Sequence, residues 1–191
     1  MKYTNKTFKL LTSITLVLFL LFLLWGLWLK FNDIYMIKMN YINLLSHLSL
    51  RERFLYDIVP FQYKFDVFNQ IKETIYNSFI FIPIGIFLNI LFDKKNILRD
   101  ILICFGISLS IELLQLFTMI GSFSSSDLIM NTLGYFLSLP IYYLIIKKLP
   151  LKFNIILFLT SNILLSIILV YAFFNTLIHL DVIIGILTRT L

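Results

Sequence analysis

Five apolar runs, separated by shorter polar stretches, organise this chain. They fall at about 8–29, 75–92, 101–120, 128–146 and 153–174. Each is long enough to cross the roughly 30 Å hydrocarbon core of a bilayer as an α-helix. The first run is too long for the apolar part of a signal peptide and no small-x-small cleavage site follows it, so it reads as an uncleaved signal anchor. Trp25 and Trp28 near its far end suit a membrane interface. The pattern predicts an all-α fold: a polytopic transmembrane helix bundle of about five spans, in one membrane domain covering 1–191.

The stretch from 30 to 74 is more than a polar loop. Ile34, Ile37, Tyr41, Leu44 and Leu48 recur at helical spacing, with Lys38, Asn43 and His47 between them. That predicts an outer amphipathic segment, lying either on the membrane surface or over the mouth of the bundle. The stretch RERFLYDIVPF (51–61) breaks this pattern, because Pro60 disfavours helix at Val59. Beyond the fifth run, NTLIHLDVIIGIL (175–187) is weakly apolar and is compatible with helix, interfacial or irregular chain.

Composition narrows the class. The 191 residues are 60% hydrophobic and 17% aromatic, with a mean hydropathy of +0.93. That leaves too little polar surface to cover a soluble core. The net charge of +6 would suit nucleic acid if it were clustered, but it is distributed. Lys2, Lys6 and Lys9, then Lys94, Lys95 and Arg99, then Lys147, Lys148 and Lys152 occupy alternate connections, opposed there by Asp93 and Asp100. The other seven bases are matched by seven acids on the opposite side, leaving Glu112 within a span. This is a positive-inside signal. It excludes nucleic acid as a partner, puts the N-terminus in the cytoplasm and, with five spans, the C-terminus outside. Cys104 is the single cysteine. The sequence contains no His/Cys cluster at metal-ligand spacing, no GxxxxGK[ST] loop and no GxSxG elbow, so no metal or cofactor is expected. With no evident nucleophile, enzymatic activity stays open.

Chemistry concentrates on Glu112, in ISLSIELLQLF (107–117). A carboxyl at that depth costs on the order of 3 kcal/mol or more against lipid, so it must face protein or trapped water, or be protonated. Ser108 and Gln115 share its helix face, at spacings of four and three. The turn GSFSSSD (121–127) makes the third and fourth runs antiparallel neighbours. On the fourth, Asp127, Asn131 and Gly134 also share a face, and Gly134 admits close approach of two backbones. Asn77 lies near the outer end of the second run, ahead of Pro83 and Gly85; Pro83 removes a helix hydrogen bond and favours a kink. Asn77, Ser108, Glu112, Gln115, Asp127 and Asn131 are the candidates for one polar cavity open to the outer face, with Arg51, Arg53 and Asp57 within reach. Against this stands a structural account. The amides and serines serve as interhelical glue worth about 0.6 kcal/mol each, Glu112 partners Arg53 or donates to Asn131, and Pro60 and Pro83 set shape. His47 and His179 read as interfacial.

These residues carry a resemblance to the VanZ-like family of bacterial membrane proteins. DIVPF (57–61) is similar to the family's N-L-I-P-F segment, with Pro60 and Phe61 matching and Asp57 where Asn is usual. NSFIFIPIG (77–85) is similar to N-x-x-x-F-I-P-x-G, matching at Asn77, Phe81, Ile82, Pro83 and Gly85. SLSIELLQ (108–115) and DLIMNTLG (127–134) resemble S-x-x-x-E-x-x-Q and D-x-x-x-N-T-x-G, matching at Ser108, Glu112, Gln115, Asp127, Asn131, Thr132 and Gly134. The blocks come in family order across a core of 51–138. Many members carry an Arg and further acids in the outer turn, where this chain has Gly121 and Ser126.

The resemblance implies a multi-pass protein of the bacterial cytoplasmic membrane that lowers susceptibility to lipid-tailed, teicoplanin-type glycopeptides. It establishes no enzymatic activity. Expected partners are membrane lipids and either a lipid-linked envelope precursor or the lipoglycopeptide itself. The alternatives are an intramembrane enzyme modifying an envelope lipid, with Glu112 as general acid or base, and a small transporter or flippase coupled to protons through Glu112.

Overall fold

A computed structural model describes residues 6–25, 47–56, 58–62, 67–92, 96–117 and 123–178. Most of the expected amphipathic segment, Asp57, Gly121, and the stretch from His179 onward lie outside the described residues. So do the far ends of the first and third expected spans.

The described residues form six α-helices: α1 (Lys6–Leu23), α2 (Leu50–Tyr56), α3 (Val67–Leu91), α4 (Ile97–Phe117), α5 (Ser125–Ile141) and α6 (Leu151–Ile178). Among the described residues, four stretches are long and apolar enough to cross a membrane: Lys6–Leu23, Thr74–Leu91, Ser125–Ile146 and Leu151–Phe174. They coincide with four of the five expected spans. The remaining one falls on α4, whose 21 residues reach about 31 Å at 1.5 Å per residue. What sets α4 apart is a pair of buried acids, Asp100 and Glu112.

Local chemistry accounts for the ends and irregularities. Ser124 N-caps α5, its side chain accepting from the Asp127 amide. Ser49 and Glu52 make a reciprocal capping box at the start of α2: Glu52 Oε2 accepts from the Ser49 amide at 2.8 Å, and Ser49 Oγ accepts from the Glu52 amide. Helix α3 runs on through Pro83 without interruption. After Pro140, α5 passes into a π-helical segment, Tyr142–Ile146, where the Lys147 amide reaches back five residues to the Tyr142 carbonyl at 2.8 Å. In the apolar helices, hydroxyls return to the carbonyl one turn back, as Thr12 does to Phe8, Ser110 to Gly106 and Thr132 to Leu128.

Helix α3 is central and α6 peripheral: half of the Thr74–Leu91 stretch is buried, against 11% of Leu151–Phe174. The most extensive contact is between α3 and α5. It runs in parallel, because Gly134 lies against Ser78 and Phe81 while Gly85 lies against Ser138 and Tyr135. In lipid, where apolar burial drives little association, close packing at such small residues does that work. One apolar core joins Phe81, Ile84 and Leu88 of α3 to Cys104 and Ile111 of α4 and Tyr135 of α5. A second, at the Lys147 end, gathers Phe8, Phe87, Ile90, Tyr142, Ile146 and Phe158. Edge-to-face ring pairs knit it together, with Phe8–Phe158 centroids 5.3 Å apart and Phe87–Phe158 5.9 Å apart.

Candidate functional site

The buried side of α4 carries Asp100, Cys104, Ser108 and Glu112, each four residues from the last. Four is close to one helical turn, so these side chains form one stripe. The antiparallel neighbour α5 meets the stripe at three levels. At the Ser124 end, Glu112 Oε2 accepts the Ser124 amide at 2.9 Å. In the middle, Asn131 Nδ2 donates to Ser108 Oγ at 2.9 Å. At the far end, the Tyr135 hydroxyl donates to Asp100 Oδ2 at 3.3 Å. The α4–α5 interface is thus a ladder of polar rungs inside an apolar bundle.

These rungs are sealed in protein. Glu112 is 2% exposed, Asn131 1% and Ser108 fully buried. Gln115 and Asp127, nearer the Ser124 end, are half-buried, and both make further contacts. Asn77 is buried on α3, next to Ser78, whose carbonyl abuts Gly134. The structure therefore brings Ser108, Glu112 and Asn131 together, with Asn77 one position from the α3–α5 close approach. The side-chain amide of Asn131 is bonded to Ser108. Asn131 Oδ1 is a buried acceptor without a partner.

Above the Ser124 end sits a cap made by residues 49–56 and 58–61. Arg53 of α2 is 3% exposed and its Nη1 donates to the Leu116 carbonyl, one turn beyond Glu112, at a long 3.4 Å. A cation is well placed there, over the negative end of the α4 dipole. Its Nε has no hydrogen-bond partner. The Phe54 and Phe123 rings, with centroids 4.9 Å apart, hold α2 beside the start of α5. The turn at Pro60 is fixed to α5 by two serines: Ser125 Oγ donates to the Ile58 carbonyl at 2.8 Å, and Ser126 Oγ accepts from the Phe61 amide at 2.6 Å. Phe61 takes a positive φ of 61°, a backbone state that non-glycine residues hold only where their surroundings enforce it.

Sequence reasoning missed the opposite end of the ladder. Asp100, counted there as a loop acid, lies in the first turn of α4 and is 3% exposed. The neighbouring Arg99 guanidinium holds it at 2.7 Å and stacks 3.8 Å over the Phe92 ring. The signal available was the four-residue spacing from Cys104 and Ser108.

Chemically, the Ser124 end offers a buried carboxyl fixed by a backbone amide, a buried guanidinium with a spare donor, and serine hydroxyls. No group of three or more His, Cys, Asp or Glu that could hold a metal occurs among the described residues. A groove of about 230 Å³ between α4 and α5, lined by Phe105, Leu128, Ile129, Thr132 and Leu133, is apolar.

Protein VanZ of Enterococcus faecium is 32% identical to this chain over 139 residues, which is 72% of the chain and 83% of that protein. No solved structure matches. The model of the VanZ/LLP1 family matches residues 16–147, from within α1 to the end of the π-helical segment, leaving α6 outside. That match takes in every rung of the ladder and the whole cap, and on it the chain belongs to the VanZ/LLP1 family.

Proposed function

We propose that this membrane protein lies in the bacterial cytoplasmic membrane with its N-terminus inside, and that it lowers susceptibility to lipid-tailed glycopeptides of the teicoplanin type. The working part is the Ser124 end of the ladder with its cap, facing outward. The basic residues support this orientation. Lys6, Lys9, Arg99, Lys147, Lys148 and Lys152 sit at the starts or ends of helices away from Ser124, as the positive-inside bias requires. Lipid-tailed drugs partition to the outer membrane surface, where the cap would meet them.

The observation that carries the reading is the burial of a carboxyl group, Glu112, and a guanidinium, Arg53, at one end of α4. Intramembrane ionisable groups are expensive and mark function by default. Glu112 would hold the outer ends of α4 and α5 in register through Ser124. Gln115 and Asp127, half-buried beside it, would offer polar contacts to a ligand. Asn77, Ser108 and Asn131 would support the site from within the bundle.

Expression in a susceptible host lacking such a gene tests this. Wild-type protein should raise resistance to teicoplanin several-fold and leave vancomycin, which lacks the lipid tail, nearly unchanged. No change in teicoplanin susceptibility, with the protein present in membranes by blot, overturns the proposal.

A further inference from the structure

Among the described residues, Arg53 is a buried cation whose hydrogen bonding is incomplete. It is 3% exposed, its Nη1 reaches the Leu116 carbonyl only at 3.4 Å, and its Nε has no partner. A buried guanidinium is stable where an anion and full hydrogen bonding compensate its lost hydration. The Nε and Nη donors of arginine point the same way and fit two oxygens of one oxyanion.

The surroundings of Arg53 are as unusual as Arg53 itself. Leu55, Ile58, Val59 and Phe61 are 48%, 37%, 56% and 49% exposed, all within nine residues of it on the same cap. Phe61 is held outward in its left-handed conformation by the Ser126 hydroxyl. A buried cation with a spare donor, followed within eight residues of chain by four exposed apolar side chains, matches a ligand with an anionic head and an alkyl tail. At a membrane surface the abundant oxyanion joined to alkyl chains is a phosphate ester.

We propose that the cap, residues 49–56 and 58–61, binds a phosphate-bearing amphiphile, with phosphate oxygens on Arg53 and alkyl chain against Leu55, Ile58, Val59 and Phe61. This rests on the reading that the cap lies at the outer membrane surface, and it names the ligand class of that site. The turn at Pro60 is pinned by two serine hydroxyl bonds, which local opening can break. Breaking them gives the ligand a way in.

The test is binding of dioctanoyl phosphatidate to the purified full-length protein in neutral detergent, followed by native mass spectrometry and titration calorimetry. Wild type should bind phosphatidate, and should bind dioctanoylglycerol or inorganic phosphate at least about tenfold more weakly, since each lacks half of the recognised chemistry. Arg53→Gln should lose at least about tenfold in phosphatidate affinity, while Lys72→Gln, an exposed cation on α3, should not change it. Arg53→Lys keeps the charge and loses the fork, so it should bind several-fold more weakly; it decides the matter if Arg53→Gln does not fold.

Wild-type affinity in either Arg53 variant overturns the proposal. Inorganic phosphate bound as tightly as phosphatidate overturns the amphiphile and leaves a free phosphate as the source. Susceptibility is measured separately. A wild type that lowers teicoplanin susceptibility but binds no phosphatidate removes this site and leaves the resistance reading intact. Phosphatidate binding without any effect on susceptibility does the reverse.

Discussion

Glu112 Oε2 accepts the backbone amide of Ser124 at 2.9 Å, and so closes the turn between α4 and α5 from inside the bundle. The acceptor is buried and the donor belongs to the N-cap residue of α5. Glu112→Ala leaves that amide without its partner, which should cost about 1–3 kcal/mol of stability. Glu112→Gln keeps an acceptor oxygen and should cost less. Thermal unfolding in detergent measures both. If the carboxyl serves the proposed resistance, Glu112→Gln protein should be present at normal membrane level yet fail to raise teicoplanin resistance. Full resistance in that variant would make Glu112 a structural tie.

The middle rung predicts a coupling. Asn131 Nδ2 and Ser108 Oγ are bonded to each other at 2.9 Å, so the two substitutions should be non-additive. A double-mutant cycle with Ser108→Ala and Asn131→Ala should give about 0.6 kcal/mol, and at most about 1.7 kcal/mol. A coupling near zero would mean that the bond is replaced by another as soon as either partner is removed.

Glycines at three positions should respond in opposite directions. A Cβ on Gly134 would run into the Ser78 carbonyl and the Phe81 Cβ, 2.7 Å away. On Gly85 it would meet Ser138 and, at 3.2 Å, the Tyr135 Cα. Backbone atoms in those contacts cannot swing aside, so Gly134→Ala should force α3 and α5 apart and cost about 1–3 kcal/mol. Gly85→Ala should act in the same direction, though Ser138 has a side chain that can move. Gly106 meets nothing within 4 Å, and Gly106→Ala should stabilise by about 0.5–1 kcal/mol through helix propensity. Melting temperatures of the three variants check the order.

Much of the ladder is readable in the sequence, because its cause is periodic. A carboxyl in an apolar run must find a polar setting, and four-residue spacing puts Ser108 on its face. Asn131 and Gly134 follow by the same rule on the next helix. What spacing does not fix is the rotation of one helix against another, which is why Asn131 faces Ser108 and the Ser124 amide faces Glu112. The cap is harder still. Ser125 and Ser126 bond to Ile58 and Phe61, 67 and 65 residues away in the chain, and nothing local in a run of serines announces such partners. In the sequence Asp100 reads as part of a solvated charge cluster, because Lys94, Lys95 and Arg99 precede it; α4 starts at Ile97, and that one turn of extra helix turns Asp100 inward.

The cap has its own pH dependence. Glu52 accepts from the Ser49 hydroxyl at 2.7 Å and from its amide at 2.8 Å, and these bonds, the hydroxyl first, hold its carboxyl below the ordinary value of 4.5. A carboxyl whose folded pKa is lowered contributes its stability fully above the unfolded pKa and loses it as pH falls through the folded value. The start of α2 should therefore be intact at neutral pH and loosen below pH 4.5. Since α2 carries Arg53, phosphatidate binding should weaken over the same interval. Glutamine can serve in a capping box and does not titrate, so Glu52→Gln should abolish the pH dependence while keeping the helix. Hydrogen exchange of amides 52–56, corrected for intrinsic rate, measures this between pH 7 and pH 3. The same loss of protection in wild type and Glu52→Gln would show that another group controls the cap.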